Sequence, residues 1–235
     1  MDEVLVLDIG GTKTNVSFVA SNGKEPKILS SNVFLTDSYP ENTIERITLL
    51  VGNNKKISNM SLSLPGVLSE DGVLKESYFL HEWLDYPFIK NLSEKLGVKN
   101  YVWETDVVCG AMGEYNTRVE KEHDISLLYL NLGTGIGAAL IKDGKPFKSS
   151  DKFCLRMQKL VLPFEDEIYS GVDFISGGTL TKISGYDSIL EWAADEEPEA
   201  DAIKPAMKKA LDGLQTNLDR LALDLKPLCK RLVPR

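Results

Sequence analysis

Three short stretches of this 235-residue chain carry residue types that can do chemistry together. The first is Asp8-Ile9-Gly10-Gly11-Thr12-Lys13-Thr14. Gly10 and Gly11 allow close approach to the backbone and present amide N–H groups, which suits phosphate oxygens. Thr12 and Lys13 add a hydroxyl and a cation. Asp8 can hold Mg2+ through water. The plainer alternative is a hairpin turn with a solvated lysine. The stretch is neither a P-loop nor a dinucleotide fingerprint, because the chain has no GxxxxGK[ST] and no GxGxxG follows this strand. The second stretch is Leu132-Gly133-Thr134-Gly135-Ile136-Gly137. Each of its glycines weakens a strand, so packing alone explains them poorly. The third is Glu104-Thr105-Asp106. Asp106 can take the proton of a sugar hydroxyl and aim its oxygen at a γ-phosphate. Aspartate is also a favoured helix N-cap, and that role alone would account for it.

The elements that must position these residues follow from periodicity. Residues 3–7 form a short apolar run and read as a buried strand. Residues 15–20 alternate apolar and polar, Gly23 closes a turn, and residues 28–35 read as a third strand. Strands joined by a Gly-rich turn with no helix between them begin an antiparallel sheet. Helical spacing appears over 41–51, and a strand over 60–64 stops at Pro65-Gly66. A second hairpin is expected around Glu70-Asp71-Gly72, then a helix over 87–96 ended by Gly97. A strand over 101–103 leads into a helix from Asp106 to about Val119. The pattern then recurs. An apolar strand over 126–130, the turn at Gly133 to Gly135 and a strand over 137–141 precede the hairpin signal Asp143-Gly144. Helices are expected over 165–175, 188–194 and 201–225. The strand–glycine turn–strand unit thus occurs twice, about 120 residues apart, which suggests two related halves.

In this order, the three stretches resemble the ROK family of sugar kinases and, more distantly, the hexokinase and actin superfamily. Residues 8–13 match the family's first phosphate motif and Pro65-Gly66 its Pro-Gly element. Residues 102–114 match its catalytic segment, with Asp106 at the base and Gly113-Glu114 at the matching Gly-Glu. Residues 132–137 match its second phosphate motif, followed by the Asp143-Gly144-Lys145 turn. The resemblance runs over residues 3–145 and fades beyond.

The resemblance implies a two-domain α/β fold of the actin/hexokinase-like ATPase type, with a ribonuclease H-like mixed sheet in each half. Residues 1–105 would form the first domain and 106–231 the second; 232–235 read as the remnant of a cleavable tag, a native tail being the alternative. It implies an ATP site in a cleft between the halves. Gly10, Gly11, Thr12 and Lys13 would meet the phosphates from one side and Gly133, Thr134 and Gly135 from the other. Mg2+ would bridge phosphate oxygens near Asp8. Asp106 would act on the hydroxyl of a hexose or hexose derivative. Pro65, Gly66, Glu104 and Thr105 fall in the sugar-binding positions. A further sugar-binding glutamate would fall within Glu165-Asp166-Glu167, before Ser170-Gly171, where a solvated acidic helix start is the alternative.

The chain also departs from the family. Thr105 stands where the family has Asn before the catalytic Asp, and its donor pattern differs. Residues 146–154 hold one Cys and no His in place of the family's Gly-His motif and cysteine cluster, so no structural zinc is expected. The family's late Gly-Gly segment, which contacts adenosine, has only Gly177-Gly178 as a substitute, so the chain reads as a short or truncated member.

Composition narrows the classes. The formal net charge is −8, with no basic run, which argues against nucleic acid as a partner. The chain starts directly at the first strand, so DNA binding through an N-terminal helix-turn-helix is not expected. No apolar stretch is long enough to span a membrane, and the acidic N-terminus is no signal peptide. Three scattered cysteines fit a reducing cytoplasm. The leading expectation is a cytoplasmic ATP- and Mg2+-dependent sugar kinase, with a homodimer left open by the resemblance. The alternatives are a sugar-binding protein without turnover and a superfamily ATPase or acyl-phosphate kinase with another acceptor.

Overall fold

The computed structural model describes residues 2–21, 26–52, 56–118, 126–132, 135–148, 155, 161–164 and 167–170. The chain divides into two compact units, Met1–Cys109 and Gly110–Arg235.

The first unit is built on a five-stranded mixed sheet. Strands β1 (Asp2–Ile9), β2 (Lys13–Ser21) and β3 (Lys27–Leu35) form an antiparallel meander. After helix α1 (Pro40–Val51), β4 (Asn59–Leu64) pairs parallel to β1. A small hairpin of β5 (Val67–Leu68) and β6 (Leu74–Glu76) leads to a 3-10 turn at His81–Trp83. Helix α2 (Phe88–Leu96) then returns the chain to β7 (Asn100–Thr105), which pairs parallel to β4. The strand order is β3-β2-β1-β4-β7.

Alternation explains the sheet's buried face. Leu5, Leu7 and Ile9 of β1 point the same way as Val16 and Phe18 of β2, Phe34 of β3, and Met60, Leu62 and Leu64 of β4. Ile44, Ile47 and Val51 recur at helical spacing along α1 and join this cluster with Ile89 and Leu92 of α2. Trp83 is fully buried, stacks on Phe88 with centroids 4.5 Å apart, and donates its indole N–H to the Asp37 carbonyl at 3.1 Å. Burial on this scale stabilises each large side chain by roughly 1.5–3 kcal/mol relative to exposure.

The boundary between the units falls within α3 (Asp106–Arg118). In the second unit, β8 (Ser126–Leu132) and β9 (Ile136–Lys142) form an antiparallel hairpin, and β10 (Lys145–Pro146) folds back onto β9. Asp143 and Gly144 both have positive φ, 51° and 75°, as a two-residue hairpin turn matching the strands' twist requires. A Cβ on Gly110 would lie 2.8 Å from the Tyr129 hydroxyl oxygen, so the tip of the Tyr129 side chain packs directly against α3 there. Strands β11 (Val161–Phe164) and β12 (Glu167–Ser170) form a separate hairpin.

That last hairpin corrects the sequence reading, which expects a helix over 165–175. Glu167 to Ser170 are extended and paired with β11. Val161, Phe164, Ile168 and Tyr169 are β-branched or aromatic and favour a pleated strand over the acidic signal of Glu165-Asp166-Glu167. The expected turn at Gly23 and helices over 188–194 and 201–225 lie outside the described residues, as does Gly177-Gly178.

Candidate active site

The carboxyl ends of β1, β4 and β7 lie side by side, and each carries sequence-predicted site residues. Asp8 pairs in register with Ser63, and Ser63 with Glu104. Three side chains thus form one row across three strands, neighbours about 4.8 Å apart by strand spacing. The chain leaves β1 into the turn 10–13, β4 into Pro65-Gly66, and β7 into Asp106. In parallel sheets this is the edge where ligands usually bind.

Asp8 is exposed and accepts a hydrogen bond from the Ser63 hydroxyl at 2.5 Å. The turn after β1 is tightly closed: the Gly10 N–H donates to the Lys13 carbonyl at 2.8 Å. A Cβ on Gly11 would lie 2.4 Å from the Cβ of Phe79, so only glycine lets the 77–80 loop seat against the turn. Thr12 and Lys13 are exposed. Thr36, at the end of β3, bonds the turn twice. Its N–H donates to the Thr12 carbonyl at 2.9 Å and its hydroxyl to the Gly10 carbonyl at 2.8 Å.

Gly66 has φ of 129°, and a Cβ there would meet the Glu76 carbonyl oxygen at 2.2 Å. The tight exit from β4 therefore depends on glycine. At the end of β7, Glu104 accepts the Thr105 N–H at 3.0 Å. The Thr105 hydroxyl oxygen is buried and has no hydrogen-bond partner among the described residues. Asp106 is partly buried at the start of α3 and accepts the Val107 N–H at 2.9 Å. Burial raises its carboxyl above the ordinary aspartate range. The Val107 N–H works against that rise, and the negative charge of Asp8 adds to it.

One face of the first unit thus brings together Asp8, the turn 10–13, Pro65, Gly66, Glu104, Thr105 and Asp106. In the second unit, Gly135 is partly buried just before β9, while Gly133 and Thr134 lie outside the described residues. Glu165 and Asp166 also lie outside them. Glu167 opens β12 opposite Phe164 rather than a helix. Residues 149–154, on which the zinc expectation rests, are outside them too. Sequence reasoning missed Ser63, Thr36 and Phe79. Ser63 meets Asp8 only through the parallel register of β4 on β1, and Thr36 and Phe79 likewise have no local signature.

Among the described residues there is no cluster of three or more His, Cys, Asp or Glu that could cage a metal. Mg2+ keeps several waters and takes one or two carboxylates plus phosphate oxygens. Asp8, exposed and oriented by Ser63, fits that role.

Solved structures share this α/β fold. The ROK family glucokinase of Streptomyces griseus, solved with glucose and AMPPNP, superposes at a TM-score of 0.64 with 20% identity, over 90% of this chain and 74% of that one. A model of the ROK family matches residues 4–151, more than half of the sequence, and the chain belongs to that family. It is 30% identical over 142 residues to the N-acetyl-D-glucosamine kinase of Mannheimia succiniciproducens, covering 59% of this chain and 45% of that protein. It is 27% identical over 118 residues to the xylose repressor of Caldicellulosiruptor bescii, covering 49% and 29% respectively. The chain spans about half the length of the curated kinases it matches. Among the described residues, no helix is long and apolar enough to cross a membrane.

Proposed function

We propose that this chain carries the phosphate-binding and catalytic face of an ATP-dependent sugar kinase. One observation carries the reading: a glycine turn with exposed Thr12 and Lys13 and a carboxylate of raised basicity, Asp106, stand at the same edge of one sheet, on either side of β4, with Asp8 close enough to act on that carboxylate. The acceptor is a hexose or a derivative, such as an N-acylated amino sugar or a 2-keto-3-deoxy sugar acid.

In this reading Gly10, Gly11, Thr12 and Lys13 bind the phosphates of ATP, with Gly133, Thr134 and Gly135 as the second ATP-binding turn. Asp8 would hold Mg2+, which supplies charge neutralisation to the phosphate oxygens. Pro65, Gly66, Glu104 and Thr105 hold the sugar. Asp106 accepts the proton of the sugar's primary hydroxyl as that oxygen bonds to the γ-phosphorus. The bond from the γ-phosphorus to the β–γ bridging oxygen breaks and ADP leaves. Raised basicity favours the proton transfer, provided the carboxyl is ionised at working pH. Phosphoryl transfer depends mainly on position and charge, so this short inventory suffices.

A sugar-binding protein without turnover is the second reading. The similarity to a repressor supports it, as does Thr105 in place of the family's Asn. A coupled ADP-release assay over hexoses, N-acylated amino sugars and keto-deoxy sugar acids separates the two. Sugar-dependent release that collapses in Asp106→Asn supports the kinase. Sugar binding with no ATP consumption supports the second reading, and hydrolysis indifferent to every sugar points to a different acceptor.

A further inference from the structure

We infer that Thr36 is a positioning residue that sets the first glycine turn as an anion cradle; this rests on reading that turn as ATP-binding. The turn 10–13 contains carbonyl oxygens as well as N–H groups, and carbonyl dipoles pointing at a ligand would repel phosphate. Three of the four carbonyls are bound by donors. Lys13 O accepts the Gly10 N–H at 2.8 Å, Thr12 O the Thr36 N–H at 2.9 Å, and Gly10 O the Thr36 hydroxyl at 2.8 Å. Thr36 supplies two of these three bonds. The N–H groups of Gly11 and Thr12 donate to none of the described residues. The turn therefore holds its acceptors away and keeps two donors available, the arrangement an anion needs.

Thr36 is itself oriented. Its hydroxyl has one proton, used on the Gly10 carbonyl, so in the 2.8 Å contact with Thr14 it is Thr14 that donates. Thr14 is fully buried. The result is a relay from the Thr14 hydroxyl through the Thr36 hydroxyl to the Gly10 carbonyl, each bond polarising the next. Phe79 seats against Gly11 as well, so contacts from two separate segments limit where the turn can go. A side chain serving only to tie β3 to the sheet would need no second bond to the turn's own carbonyl.

The test compares Thr36→Val, which keeps the shape and removes the hydroxyl, with Thr36→Ser, which keeps both bonds. AMPPNP affinity by calorimetry, KM for ATP, KM for the sugar and the thermal midpoint are read together. Thr36→Val is expected to weaken AMPPNP binding and raise KM for ATP about tenfold or more, because small misplacement of a positioning group has large effects. The sugar's KM should stay within about twofold, and Thr36→Ser should recover most of the loss. Should Thr36→Val fail to fold, Thr36→Cys, with its weak thiol donor, takes its place and should fall between Ser and Val. A lowered midpoint with unchanged AMPPNP affinity would make Thr36 merely structural and overturn the inference. If the unmutated chain itself binds no AMPPNP, the ATP reading fails first and takes this inference with it.

Discussion

Asp8, near the end of β1, and Asp106, just past β7, lie on either side of β4, and they repel. Burial is the larger cause of the raised Asp106 carboxyl, and the Asp8 charge adds to it against the Val107 N–H. Raised in the folded state, this group contributes stability that is present below the unfolded pKa, about 3.9, and is lost as pH rises through the folded value. Asp106→Asn should therefore raise the stability of the folded chain at neutral pH relative to the unmutated protein. That advantage should shrink to nothing as pH falls below about 3.9. The same variant should lose about 10²- to 10⁴-fold in kcat. Urea melts at several pH values and the ADP assay check both; full turnover in the variant would remove Asp106 from the chemistry.

If Asp106 is the proton acceptor proposed above, it must be ionised to act, and the acid limb of the pH–rate profile should lie above the ordinary aspartate value. Removing the Asp8 charge should bring the Asp106 carboxyl down. A carbon-13 NMR titration of Asp106 in Asp8→Asn, in the absence of nucleotide, reads this directly. An unmoved titration would mean that the two carboxylates do not sense each other.

Much of the first unit was legible because its signals are local. The apolar run over residues 3–7, the helical spacing of Ile44, Ile47, Leu49 and Leu50 (of which only Ile44 and Ile47 prove to be buried) and, in the second unit, the Asp143-Gly144 turn each specify their element within a few residues. The glycine turn and Asp106 were visible for the same reason. What joins them was not. Ser63 reaches Asp8 across 55 residues and Thr36 reaches Gly10 across 26, and both contacts depend on a strand order that no local pattern encodes. The expected helix at 165–175 failed through a related cause. An acidic triplet reads as a helix start, but pairing with β11 overrides it.

Gly11 and Phe79 give a steric prediction. Gly11→Ala would put its new Cβ 2.4 Å from the Phe79 Cβ, an atom that side-chain rotation cannot move. The substitution should cost about 1–3 kcal/mol of stability. Phe79→Ala removes the ring but keeps the offending Cβ, so it should relieve only part of the clash. Phe79→Gly should relieve more, beyond its own penalty of roughly 1 kcal/mol. Double-mutant cycles in urea should thus give a larger favourable coupling of Gly11→Ala with Phe79→Gly than with Phe79→Ala. Equal couplings would mean that the loop seats elsewhere.

Thr105 makes a prediction whose two readouts move in opposite senses. Its hydroxyl oxygen is buried at the end of β7, one residue from Asp106, without a hydrogen-bond partner among the described residues. An orphaned polar group is a net penalty, so replacing the hydroxyl by a methyl of similar shape should be neutral or stabilising, by up to about 1 kcal/mol. If that hydroxyl bonds the sugar when the site is filled, the gain in stability is matched by a loss in binding. Thr105→Val should then raise the KM for the sugar about threefold to tenfold, the value of one ordinary hydrogen bond, and leave the KM for ATP unchanged. Thermal melts and sugar titrations on one preparation decide it. A variant that is clearly less stable, with its sugar KM unaltered, would show that Thr105 already has a partner in the protein and no part in holding the acceptor.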